Sequence, residues 1–241
     1  MLSEHMRRAL ALAEGVLGST SPNPSVGCVI VRDGRVAGEG ATLPPGQAHA
    51  EIVALRAAGD RARGATAYVT LEPCAHHGRT PPCADALTEA GVAAVRIATL
   101  DPDANVAGRG AERLRAAGID VQIGDGEAES RKLLEAYLKH RATGLPFVVI
   151  KFAATLDGKI AAASGDSRWV AGEQARAWAH AFRTKVDAIM CGVNNVLLDD
   201  PQLTARPGGV LAARQPLRIV ADSRGRTPLD AKVLGPGDQT I

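Results

Sequence analysis

Four residues in the N-terminal half of the chain, His49, Glu51, Cys74 and Cys83, have the types and the spacing of a metal-centred hydrolytic site. One imidazole and two thiolates offer Zn²⁺ three protein ligands and leave the fourth position to water, the catalytic rather than the closed structural pattern. Glu51 lies two residues beyond His49 at the opening of the same expected helix, suited to carry protons rather than to ligate. Zinc held in this way lowers the pKa of its bound water towards ~7, which makes hydroxide available for attack on an amidine-like ring carbon. Two blander readings stand beside this one, a structural metal site or three unrelated core residues. The first wants four closed ligands, for which only His76 or His77 is near, and both leave Glu51 unexplained. Cys28 and Cys191 sit in apolar runs, where a free cysteine behaves as a small buried hydrophobe.

The elements that must position these groups follow from periodicity and punctuation. Ser3 caps an amphipathic helix with Met6, Leu10, Ala13 and Leu17 at helical spacing, which stops at Gly18. Asp33-Gly34 between apolar runs at 26–31 and 35–40 predicts a hairpin. Helices follow at 49–58, 83–90, 109–117 and about 127–141, and strands at 65–71, 94–100 and 119–123. The alternation implies a sheet covered by helices on both faces. Residues 142–146 read as a linker, which divides the chain into domains at 1–145 and 146–241. The second domain is again α/β, with strands at 147–153, 186–191 and 217–222 and a helix at 173–184.

At 241 residues the chain has room for two ordinary domains. A formal net charge of +2 without any run of five Lys or Arg argues against a nucleic-acid partner. The absence of an 18-residue apolar window and of a charged head before an apolar centre argues against a membrane span or leader, so a cytoplasmic, unprocessed protein is expected. Four cysteines are too few for a disulfide framework in a chain this long.

His49-Ala50-Glu51 and Pro73-Cys74 match the zinc deaminase signature, H-x-E followed by P-C. The run Cys74-Ala75-His76-His77-Gly78-Arg79-Thr80-Pro81-Pro82-Cys83 spaces the cysteines much further apart than the P-C-x-x-C of cytidine and tRNA-adenosine deaminases. With Pro22-Asn23-Pro24-Ser25-Val26-Gly27 and the stretch from Asp101-Pro102 to Gly108-Arg109-Gly110, it closely resembles the bifunctional riboflavin-biosynthesis deaminase/reductase family, over nearly all of the chain. The resemblance implies a cytidine-deaminase-like three-layer α/β/α domain followed by part of a dihydrofolate-reductase-like α/β domain. It implies deamination of a phosphoribosylated diaminopyrimidinone to the aminouracil, with His49, Cys74 and Cys83 on Zn²⁺ and Glu51 as acid and base. By the same resemblance Asn23 and His76 hold the pyrimidine, and Arg79 with Thr80 faces the ribose phosphate.

The second domain carries the family's markers in Ala153 to Lys159, Ser164 to Trp169, Gly192 to Leu198 and Asp199 to Arg206. These imply NADPH-dependent reduction of the ribosyl side chain, with Ala153, Trp169, Asn195, Asp199 and Ser223 on the dinucleotide. Ser167, Arg183, Leu203 and Arg206 are implied substrate contacts. Ala41 and Thr42 stand where the family tends to carry an aromatic residue and a histidine, and Asn195 replaces a threonine. The family's C-terminal stretch, with an acidic substrate contact and a glycine-rich loop for the cofactor phosphates, is missing, so a truncated product with an impaired reductase is expected. An open strand edge there leads us to expect a homo-oligomer. Two rivals remain at this level: a deaminase of another base, and a non-catalytic zinc-stabilised scaffold.

Overall fold

The computed structural model describes residues 2–75, 81–103, 106–167, 169–235 and 240–241, and the chain divides into two compact units, Met1–Val148 and Val149–Ile241. In the first unit, helix α1 (Glu4–Gly15) opens after Ser3, whose Oγ accepts from the Met6 N–H at 3.2 Å. Strands β1 (Gly27–Arg32) and β2 (Arg35–Ala41) are joined by Asp33-Gly34 at φ +50° and +71°. A tight hairpin turn demands two positive φ values, and Asp followed by Gly tolerates them. Then come α2 (Ala50–Ala58), β3 (Thr66–Leu71), α3 (Cys83–Glu89), β4 (Ala94–Thr99), α4 (Arg109–Ala116) and β5 (Asp120–Ile123). The sheet runs β2-β1-β3-β4-β5, antiparallel around β1 and parallel from β3 to β5.

Both faces of this mixed sheet are covered, which explains why β1 is buried at five successive positions rather than alternating with solvent. Cys28 and Ile30 enter the larger cluster with Ala54, Leu87 and Leu114 from α2, α3 and α4, whereas Val29 and Val31 pack with Met6 and Ala9 of α1. The close seat of α2 depends on Gly38, where an added Cβ would lie 2.4 Å from the backbone oxygen of Ala54. Gly38→Ala is therefore expected to destabilise the chain by about 1–3 kcal/mol, read from its denaturant midpoint. An unchanged midpoint would show that α2 can move off the sheet without cost.

One expected helix is two. The segment expected as a single helix at 127–141 is α5 (Glu127–Leu133) and α6 (Glu135–Thr143), broken at Leu134 with φ −96° and ψ 11°. The break lets the Ser130 hydroxyl donate to the carbonyl of Thr70 in β3 while Leu134, Tyr137 and Leu138 pack on the larger core. Neither Gly nor Pro marks the kink, so periodicity runs through it unbroken.

The second unit holds α7 (Glu173–Arg183), β6 (Ala188–Gly192), α8 (Val193–Asp199) and β7 (Leu217–Ala221), with β6 and β7 parallel in a two-stranded sheet. Its core is small: Val196, Leu203, Ala231 and Val233. The strand expected at 147–153 does not form; among the described residues from 144 to 171 there is neither helix nor strand. Ile150 and Phe152 are 82% and 74% exposed. A continuous apolar run becomes a strand only when neighbouring strands take its backbone groups and helices cover its faces, and β6 and β7 pair here with one another. Helix α8 was not anticipated, because seven residues carry too little periodicity to be read.

Candidate metal centre

The functional side chains converge because parallel strands deliver their C-terminal ends to one edge of the sheet, where ligands of open α/β sheets bind. His49 is the residue immediately before α2, with extended backbone, and Glu51 stands in the first turn of that helix. Pro73-Cys74 follows the end of β3, and Cys83 is the first residue of α3, behind Pro82. Two backbone bonds knit the cysteines together: the Cys83 N–H donates to Cys74 Sγ at 3.3 Å and the Ala84 N–H to the Cys74 carbonyl at 3.2 Å.

His49 Nδ1 lies 3.3 Å from Cys83 Sγ and 3.8 Å from Cys74 Sγ, and all three donor atoms fall within 4.8 Å of one another. Zinc bonds of ~2.0–2.1 Å to nitrogen and ~2.3 Å to sulfur at tetrahedral angles place N and S donors about 3.6 Å apart. The donor set therefore fits zinc in both chemistry and spacing.

In the metal-free chain, hydrogen bonds from Cys83 and His49 push the Cys74 thiol well below its usual range, against the opposing effect of burial. Cys83 is pushed up by its bond to Cys74 and by burial. His49 is raised by its own hydrogen bond to Cys74. Burial lifts Glu51 to about 7, with the Cys74 charge adding to the rise. A carboxyl near neutrality is matched to taking up and giving back a proton at the operating pH.

A cavity of about 440 Å³ opens beside these groups, lined among others by Asn23, Thr42, Gln47, His49, Glu51, Cys74 and Asp101. The volume suits a single small ligand. Asn23 reaches the lining on a loop pinned at both ends of a turn, its N–H donating to the Thr20 carbonyl and its own carbonyl accepting from Thr20 Oγ1. Thr42 also lines the cavity, but its hydroxyl is engaged by the Val26 N–H at 3.2 Å. His76, Arg79 and Thr80 lie outside the described residues.

Several lining residues escaped sequence reasoning. Tyr137 donates to Asp101 Oδ2 at 3.0 Å, and Arg141 stacks over the Tyr137 ring and reaches Asp103 at 3.4 Å. Burial raises both Asp101 and Tyr137. Asp101 lies two residues past the end of the parallel strand β4, near the edge that the rule singles out, whereas nothing local marked Tyr137 or Arg141, which come from a helix distant in sequence.

In the second unit the implied substrate residues partly meet. Arg183 donates to the Thr204 carbonyl at 2.9 Å, the Arg206 N–H donates to His180 Nδ1 at 3.3 Å, and Leu203 is buried between them in sequence. Burial, reinforced by the Arg206 charge, lowers the Arg183 guanidinium. Ser167 is half-buried on the irregular stretch. Of the implied dinucleotide residues, Trp169, Asn195, Asp199 and Ser223 are exposed and Ala153 is half-buried, on segments separated along the chain. Cys28 is fully buried in the core, and Cys191 is half-buried against the small cluster of the second unit. Among the described residues no helix is long and apolar enough to cross a membrane.

In class, then, the chain is an α/β domain of the cytidine-deaminase type with a candidate His/Cys/Cys zinc site, followed by a second α/β unit. Residues 1–99 match the cytidine and deoxycytidylate deaminase zinc-binding region, and residues 146–241 match the RibD C-terminal domain. The chain belongs to the riboflavin biosynthesis protein RibD family, whose members join a deaminase and a reductase domain. It is 49% identical to the Escherichia coli protein of that name over 97% of this chain and 67% of the relative. It is 46% identical to the Aquifex aeolicus protein over 95% of this chain and 64% of the relative. A solved diaminohydroxyphosphoribosylaminopyrimidine deaminase/5-amino-6-(5-phosphoribosylamino)uracil reductase from Thermotoga maritima superposes with TM-score 0.92 at 41% identity, covering 98% of this chain and 68% of that one. The chain thus spans about two thirds of the length of the relatives it matches.

Proposed function

We propose that the first unit catalyses the hydrolytic deamination of 2,5-diamino-6-(5-phosphoribosylamino)pyrimidin-4(3H)-one in riboflavin biosynthesis. The observation that carries this reading is the burial of Glu51 beside the three zinc-compatible donors His49, Cys74 and Cys83, with Glu51, His49 and Cys74 in the wall of one small-molecule cavity. Zinc held by His49, Cys74 and Cys83 supplies activation of water at neutral pH. Glu51 Oε takes up the proton released by that water and hands it to the departing amino group, so that ammonia leaves as a neutral product. Asn23 orients the pyrimidine from the cavity wall, and the burial of Glu51 shields the transferred proton from bulk water. His76 is assigned to the pyrimidine, and Arg79 with Thr80 to the ribose phosphate, by the family resemblance.

The second unit is read as part of the family's NADPH-dependent reductase, with Ser167, Arg183, Leu203 and Arg206 on the substrate and Ala153, Trp169, Asn195, Asp199 and Ser223 on the dinucleotide. Its exposed apolar side chains, such as Met190 and Leu198, also support self-association into a homo-oligomer, which sedimentation would register as a mass above that of one chain.

The test is ammonia release by zinc-loaded protein from the phosphoribosyl diaminopyrimidinone, beside cytidine, guanine and a tRNA adenosine, with NADPH followed in the same tube. Release from the first substrate alone, with NADPH at background because four of the five dinucleotide residues are exposed, is the expected result. Comparable turnover of another base would reassign the substrate. No release from any of them by protein that holds zinc would leave a scaffold.

A further inference from the structure

We infer that Glu72 is a positioning residue of the metal centre, which locks the Pro73-Cys74 turn onto the N-terminus of α4; the inference rests on the reading of His49, Cys74 and Cys83 as zinc ligands. Glu72 is only 4% exposed, and its carboxylate is fully occupied by backbone. Oε2 accepts from the N–H groups of Asp101 at 3.3 Å and Gly108 at 2.9 Å, and Oε1 from those of Gly110 at 2.9 Å and Ala111 at 3.1 Å. With four donors committed to it, this carboxylate has no part left to play in proton transfer. What it does is satisfy N–H groups that the first turn of α4 cannot pair internally, with its charge at the positive end of the helix.

Two further contacts make α4 a brace for the thiolate-bearing segments. An added Cβ at Gly110 would lie 1.9 Å from the Pro73 carbonyl oxygen, so the helix backbone rests directly on the residue before Cys74. Arg113, one turn on, donates to the Ala75 carbonyl at 3.1 Å and to Asp85 Oδ2 in α3 at 2.8 Å. The residues on both sides of Cys74, and the helix that starts with Cys83, are therefore all tied to α4, an element that contributes no ligand. The same carboxylate holds Asp101, so the ligand turn and one wall of the cavity share a single anchor.

Glu72→Gln replaces one acceptor oxygen by an NH2 group that faces two N–H donors. Outer partners that orient metal ligands typically contribute 10- to 100-fold in affinity. Zinc affinity, measured by chelator competition, is expected to fall by that factor, and the absorption bands of the cobalt-substituted chain to shift as the Cys74 sulfur loses its fixed direction. Met6→Ala, a cavity on the opposite face of the sheet, controls for stability: it should lower the melting temperature and leave affinity and spectrum alone. Arg113→Gln, on the exposed side of the brace, decides the matter if Glu72→Gln does not fold, and a measurable loss of affinity is expected of it too. Equal affinity and spectrum in wild type and Glu72→Gln, or an equal loss in Met6→Ala, would overturn the inference while leaving the zinc reading intact. Failure of the wild type itself to bind zinc is a separate result that removes both.

Discussion

Exchange of Glu51 for Gln is expected to leave zinc in place and to lower the rate of ammonia release by roughly 10²- to 10⁴-fold, the contribution of a positioned proton carrier. The same exchange is expected to make the metal-free chain more stable. Glu51 is buried, and its folded pKa of about 7 lies above its ordinary value of 4.5. The folded state therefore binds the proton more tightly than the unfolded state, and stability falls as pH rises through the window from 4.5 to about 7. The penalty is absent below that window and complete above it, on the order of 3 kcal/mol. Gln carries no such charge, so denaturation of metal-free Glu51→Gln should show a gain at pH 8 that disappears near pH 4. Unfolding curves that run parallel across this range would mean that Glu51 is not desolvated as the cavity wall implies. Full activity in the variant would remove Glu51 from the chemistry altogether.

Removal of the metal has the second large effect. Wild-type protein should lose both activity and thermal stability in the presence of a strong chelator, since a ligand that binds the folded state alone stabilises by mass action. A hundredfold excess over the dissociation constant corresponds to about 2.7 kcal/mol, or roughly 5–10 °C for a domain of this size. Cys83→Ser takes away a fully buried donor at the start of α3. Its melting temperature should match that of chelated wild type and should no longer respond to chelator or to added zinc. A chelator that strips zinc without moving the wild-type melting temperature would show that the three donors are held together by the fold alone, with Cys74 and His49 bonded as they are in the metal-free site.

Much of the first unit was legible because local signals and tertiary structure agree there. The Asp33-Gly34 turn and the Ser3 cap each state a backbone requirement in a residue type. His49, Glu51, Cys74 and Cys83 were readable for a related reason, since an imidazole, two thiolates and a nearby carboxylate have few other uses in combination. The helix expected at 127–141 and the strand expected at 147–153 were not readable. A kink without Gly or Pro, and an apolar run that no strand pairs with among the described residues, leave no mark in local spacing.

What the amino-acid sequence determined by itself, then, is the chemistry of the donors and the order of the elements that carry them. Tertiary structure alone decided that Tyr137 and Arg141 reach the cavity from α6, that Glu72 spends its charge on the backbone of α4, and that Arg183 meets the 203–206 segment. These are contacts between residues 21 to 39 positions apart. Their partners are chosen by packing and by the need to pair buried polar groups, a condition that belongs to the folded chain and has no period along it.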